Sequence, residues 1–235
     1  MGIETLAAEI VTLEEPSSVQ EGIPWRPEAW QKSLSGSPES LNAIEEVKSA
    51  SVLSEGTMRI NRNGVSSVAA SGNPLGTFIA YQVWGHGTNG YGPFRVAIAL
   101  GLDEGRGARR TTFARTVEYL GEAQSICQRE GGVEAYRFLV NKGKLPQLGP
   151  AFLTKYLYFI PDSASPKPLV LDALVKKTIE KFARDSFTSR FGRTDYYGEY
   201  LALVDGVVSC LAQNYQREFT TGDVEYALFR LGKRR

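Results

Sequence analysis

LPQLGPAFLTKYLYF, running from Leu145 to Phe159, decides the fold. It follows the amphipathic run GGVEAYRFLVN, whose helix should end at Asn141 to Gly143. A tight loop, KLPQLGP, comes next, and Pro150 marks the first turn of a second helix, a position proline favours. The pattern predicts a helix, a hairpin and a helix. Backbone amides of Gln147, Leu148, Gly149 and Ala151 then have no partner inside a helix, so they can point at a phosphate, aided by the helix dipole. Gly149, without a side chain, lets a polyanion backbone come close.

Outward from the hairpin, apolar residues recur at helical spacing, and no long alternating stretch argues for a large sheet. Helices are expected over 64–71, 74–83, 110–129, 131–141, 150–160, 169–185, 196–214 and 222–231, with Thr221 or Asp223 capping the last. The fold class is all-α: a compact helical bundle containing a helix-hairpin-helix motif, with an extended N-terminal arm. Residues 1–55 are rich in Ser, Glu, Gly and Pro and read as that arm, acidic and partly ordered, with Trp25 and Trp30 anchoring a short helix on the body. Residues 56–235 read as the helical domain.

The net charge of +1 hides an asymmetry, because residues 1–55 carry 10 acidic and 3 basic side chains while the rest carries 16 acidic and 24 basic. The basic part can attract a polyanion, although a solvated surface explains the imbalance almost as well. Arg106, Arg109, Arg110 and Arg115 form one basic cluster, and Lys176, Lys177, Lys181 and Arg184 form another on a single helix. Both can meet phosphates, and Lys176 and Lys177 are the stronger candidates.

Two cysteines 83 residues apart and one histidine cannot assemble a zinc site or an iron–sulfur cluster within the chain. No metal and no cofactor are expected. No run of about eighteen apolar residues suggests a membrane span. The start MGIETLAAEIVTLEEP carries glutamates where a signal peptide carries lysine or arginine, so a cytoplasmic monomer with no membrane partner is expected. VWGHGTNGYGPFR, with four glycines among Trp84, His86, Asn89 and Tyr91, reads either as a loop moulded around a ligand or as a plain connection.

Six segments together carry a family resemblance: PWRPEAW, INRNGV, VWGHGTNGYG, LGPAFLTKYLYF, LVLD ending at Asp172, and VEYALFRLG. They span most of residues 24–231, and the LGPAFLTK and LVLD pair is the most specific. The chain resembles the helix-hairpin-helix DNA glycosylases, closest to bacterial proteins of the 8-oxoguanine DNA glycosylase fold, some found among antiphage defence genes. Gln147 stands where the common hairpin LPGVG has its first glycine.

The resemblance implies DNA as partner, and a lysine of the second hairpin helix attacking the sugar's anomeric carbon. An aspartate about twenty residues later would stabilise the oxocarbenium-like charge. Lys155 and Asp172, 17 residues apart, match these roles, although the usual lysine position is occupied by Ala151, one helical turn earlier. Read locally, Asp172 is equally an ordinary helix cap and Lys155 a surface lysine. Such enzymes extrude a base into a pocket. Trp84 and His86 can line it, Phe229 matches a phenylalanine that stacks on the base, and Glu225 matches the residue that reads its edge. A glutamate there accepts hydrogen bonds, for example from a cytosine amino group. The implied activity is excision of a modified base to leave an abasic site, in defence against hypermodified phage DNA such as that carrying glucosylated hydroxymethylcytosine. Repair of 8-oxoguanine and a non-catalytic DNA-binding module are the alternatives.

Overall fold

A computed structural model describes residues 2–13, 22–103 and 111–234. Its helices are α1 (Gly2–Val11), α2 (Pro27–Ser33), α3 (Pro38–Ser49), α4 (Arg62–Ala69), α5 (Pro74–His86), α6 (Gly92–Ala99) and α7 (Phe113–Glu130). After these come α8 (Gly132–Val140), α9 (Pro150–Tyr158), α10 (Ala173–Phe182), α11 (Thr194–Tyr215) and α12 (Thr221–Lys233). Strands β1 (Ile23–Trp25), β2 (Val52–Ser54) and β3 (Thr57–Ile60) form a small antiparallel sheet in the order β1-β3-β2. The protein is therefore mostly helical, as the periodicity predicts.

Proline sets many of these boundaries. Helices α2, α3, α5, α6 and α9 each carry one in the first turn, where the missing amide costs nothing and the fixed φ suits the helix. Helix α12 starts from a capping box: Thr220 accepts from the Asp223 amide, and the Asp223 carboxylate accepts from Thr220. The cap is thus Thr220, not Thr221, with Asp223 as its reciprocal partner.

Every residue of α5 from Leu75 to Trp84 is buried, so this helix is apolar on all sides and forms the centre of the body. Helices α3, α4, α6, α7 and α9 pack around it. A second group, α1, α10, α11 and α12, packs together, with α8 joining it to the hairpin. One continuous apolar core runs through both groups.

The described part of residues 1–55 is not an extended arm. Leu6, Ala7 and Ile10 of α1 are buried against α11 and α12, and Ala43, Ile44 and Val47 of α3 against α5. Glu4, Glu28, Glu39, Glu45 and Glu46 sit on outward faces, so composition suggested solvation where a narrow apolar stripe was enough for packing. Trp25 and Trp30 do anchor the short helix α2, each 1% exposed. A second difference is that the glycine-rich stretch read as a loop is helical at both ends: α6 begins in it at Gly92, and Trp84 and His86 belong to the end of α5.

Leu6→Ala should lower the unfolding free energy by about 2–5 kcal/mol, the cost of a cavity in a packed core. Urea unfolding measures it. A change within about 0.5 kcal/mol, the size of an exposed-site effect, would mean that α1 does not belong to the body.

Candidate active site

The hairpin forms where the sequence places it, between α8 and α9. Gln147 has φ 62°, the left-handed region that favours glycine, so the turn is made here with a residue that resists it. Arg95 of α6 holds the turn by donating to the Gln147 carbonyl at 2.9 Å. Among the described residues, the amides of Leu148, Gly149 and Ala151 have no backbone acceptor. Gly149 is exposed and caps α9 without a side chain. A face of free amides at a helix N-terminus results, suited to a phosphate.

Behind it, an extended segment, Leu169 to Leu171, is fixed by three buried hydroxyls. Tyr197 donates to the Leu169 carbonyl (2.9 Å) and accepts from its amide (3.0 Å), and Tyr200 donates to the Val170 carbonyl (2.9 Å). Thr154 of α9 accepts from the Leu171 amide at 3.0 Å. Lys155 and Asp172 each sit one residue beyond this Thr154–Leu171 contact, which brings them together across 17 residues of sequence.

Asp172 caps α10, its Oδ1 accepting from the amides of Leu174 (3.0 Å) and Val175 (3.1 Å). Its Oδ2 lies 4.0 Å from Lys155 Nζ, and both side chains are 15% exposed. The cap reading of Asp172 is therefore correct, but the other carboxylate oxygen still faces the amine. Lys155 is no surface lysine: its ammonium lies 5.6 Å from the Trp84 ring centroid and 5.5 Å from that of Phe152. Burial lowers the Lys155 pKa below the ordinary range, and the Arg62 charge adds to this, while Asp172 and Glu225 oppose it.

His86 stacks on Phe152 at 4.6 Å, and Arg95 covers the same phenylalanine at 5.6 Å. Burial, then the charges of Arg95 and Lys155, push the His86 pKa down to about 4. Phe229 is half-buried and stacks on Tyr226, with Lys233 lying 4.5 Å from its ring centroid.

Glu225 sits differently from its sequence reading. It is fully buried, and both of its oxygens accept from Arg62, at 2.8 and 3.2 Å. Arg62 is the residue that sequence reasoning missed. It opens α4, where Asn61 supplies the cap (2.9 Å to the Gly64 amide) and Gly64 lets the helix approach the Ala50 carbonyl, 2.7 Å from where a Cβ would stand. The INRNGV motif is thus a device for delivering Arg62. Burial works against the Arg62 charge, but Glu225 outweighs it and holds the guanidinium above its ordinary range.

Of the expected phosphate contacts, Lys177 donates to the Gly232 carbonyl (3.0 Å) at the end of α12, and Lys176 pairs with Glu180 beside Phe191. Arg106, Arg109 and Arg110 lie outside the described residues. Exposed Arg190 and Arg193 flank Gly192, whose backbone lies against Pro150 at the start of the hairpin helix. They are basic side chains beside the free amides, which the sequence reading passed over.

The helical body, the hairpin and the lysine–carboxylate pair are the parts that the sequence resemblance implies for a DNA glycosylase. The family described as "Putative 8-oxoguanine DNA glycosylase OGG-like protein" matches residues 17–229. The chain belongs to that family, and DNA is the substrate its membership implies. No curated protein and no solved structure matches it. Among the described residues no helix is long and apolar enough to cross a membrane.

Glu225→Gln removes one of the two charges that raise the Lys155 pKa, so the amine should titrate at lower pH than in the parent protein; NMR of the lysine side chain measures the shift. His86 has a folded-state pKa below its unfolded value, so its contribution to stability is present above pH 6.5 and lost as pH falls toward about 4. Melting temperature should fall through that window in the parent and fall less in His86→Phe, which keeps the stack on Phe152.

Proposed function

We propose that this protein is a DNA N-glycosylase that extrudes a modified base and removes it with Lys155 as nucleophile and Asp172 as electrostatic partner. The neutral Lys155 amine donates its lone pair to the anomeric carbon, forming a C–N bond. The bond between sugar and base breaks, and its electron pair leaves with the base, which takes up a proton. Asp172 Oδ2 stabilises the positive charge that builds on the sugar as the bond stretches. The sugar ring then opens to a Schiff base, and water releases Lys155 and an abasic site, or elimination of the 3′ phosphate cuts the strand.

The observation that carries this reading is the lowered pKa and burial of Lys155 together with its 4.0 Å approach to Asp172 behind the hairpin. A nucleophilic lysine has to be neutral part of the time, and desolvation supplies that fraction. Leu148, Gly149 and Ala151 would hold the phosphate, with Arg190 and Arg193 beside them, and Trp84, His86 and Phe229 would line the space for the base. We place the activity in the cytoplasm, in a monomer.

Two substrates fit. Hypermodified cytosine in phage DNA, which would make this a defence enzyme, is supported by the resemblance to proteins found among defence genes. Oxidised guanine is supported by the family description. The argument for cytosine from Glu225 loses its geometric support, because Arg62 occupies both carboxylate oxygens.

Unmodified DNA, oxidised DNA and phage DNA with glucosylated hydroxymethylcytosine, each incubated with the protein, should yield abasic sites on one modified substrate. Asp172→Asn should reduce the yield by about 10²–10³-fold, the usual loss for one electrostatic stabiliser. Borohydride should trap a protein–DNA adduct that Lys155→Ala abolishes. Salt-sensitive binding that survives Asp172→Asn, without abasic sites on any substrate, would replace the enzyme with a binding module.

A further inference from the structure

Among the described residues, Arg62 and Trp84 leave two buried N–H donors without acceptors in one aromatic cluster. The Arg62 guanidinium spends its terminal nitrogens on Glu225 and on the Tyr158 hydroxyl (3.2 Å), yet its Nε finds no partner. The indole Nε1 of Trp84, a side chain more than nine-tenths buried, has none either. Arg62 lies 5.6 Å from the Trp84 ring centroid, 5.0 Å from that of Tyr158 and 5.7 Å from that of Tyr226. Trp84 in turn lies 5.6 Å from the Lys155 ammonium, so one ring contacts both cations.

A buried donor without an acceptor is costly, and folded proteins rarely leave two in one cluster unless something else satisfies them. The aromatic surroundings suit a flat, π-rich ligand, and the donors suit an oxygen on its edge. Glu225 fits the same purpose. It fixes the guanidinium in a planar fork, and it cancels a positive charge that would otherwise oppose the cationic sugar forming near Lys155.

We propose that Arg62, oriented by Glu225, selects the extruded base, donating its Nε–H together with the Trp84 indole N–H to an exocyclic oxygen of that base. The pocket then favours oxo-bearing bases over adenine-type bases that carry none. The assignment rests on the glycosylase reading above, and it gives Glu225 a positioning role in place of direct contact with the base.

The test compares the parent protein, Arg62→Lys and Trp84→Phe on five duplexes. One carries a tetrahydrofuran abasic analogue and reports DNA binding without a base. The others carry 8-oxoguanine, hypoxanthine, glucosylated hydroxymethylcytosine and 1,N6-ethenoadenine. Lysine keeps the charge opposite Glu225 but lacks the Nε–H and the fork, and phenylalanine keeps a ring without the indole donor. The parent should bind the tetrahydrofuran duplex and excise at least one oxo-bearing base but not ethenoadenine. Each variant should lose roughly ten- to a hundredfold in excision beyond any loss in tetrahydrofuran binding, the size of one hydrogen bond involving a charged or buried donor. Parallel losses in both readouts, unchanged excision in both variants, or a parent that binds the tetrahydrofuran duplex yet excises no oxo-bearing base would overturn the assignment. A parent that neither binds nor excises would instead sink the glycosylase reading itself.

Discussion

The candidate site depends on how the segment Leu169 to Leu171 is held. It belongs to no helix or sheet, and four of its backbone groups are paired with the hydroxyls of Tyr197, Tyr200 and Thr154. An unpaired buried amide costs about 1–3 kcal/mol, so these bonds fix the segment by penalty as much as by attraction. Thr154 matters most for geometry, because it lies on the hairpin helix itself. Through it, the spacing between Lys155 and Asp172 is set by the same helix that presents free amides to the phosphate side. In the proposed reading, grip and chemistry therefore share one helix, and a shift in one moves the other.

The hairpin was legible because its signals are local: Gly143 and Pro150 mark its helix ends within ten residues. The Lys155 and Asp172 pair was legible only through resemblance, since periodicity gives no reason for two half-buried charges to meet. Helices α1 and α3 were hidden by composition, each burying only three apolar residues in a region rich in Ser and Glu. Helix α6 was hidden by the glycines around it. The Arg62 and Glu225 contact joins positions 163 residues apart, and no spacing rule reaches that far. Glu225 alone looked like a reader of the base; only its partner in space shows that its oxygens are already taken.

The electrostatics of the cluster then follow from a balance of four charges. Lys155 and Arg62, both against the Trp84 ring, are opposed by Asp172 and Glu225. In a half-dry interior an unbalanced set would be strongly destabilising, because each ion loses hydration that only a partner restores. The balance is uneven in one respect. Glu225 is bound in two places by Arg62, whereas Asp172 divides itself between the α10 amides and a 4.0 Å approach to Lys155.

That unevenness separates a fixed pair from a movable one. The Arg62 fork is bidentate and surrounded by three rings, so it acts as a rigid wall. Lys155 is held by a single distant carboxylate and by desolvation that favours its neutral form. Burial against the rings of Trp84 and Phe152 favours the neutral amine, and the 4.0 Å approach of Asp172 opposes it. The free amine is the form that can attack a sugar, and Asp172 Oδ2 is then left without its cation, next to the place where a new positive charge would appear. In the proposed reaction, breaking the weaker pair prepares both partners for the same step, while the bidentate Arg62–Glu225 pair stays in place.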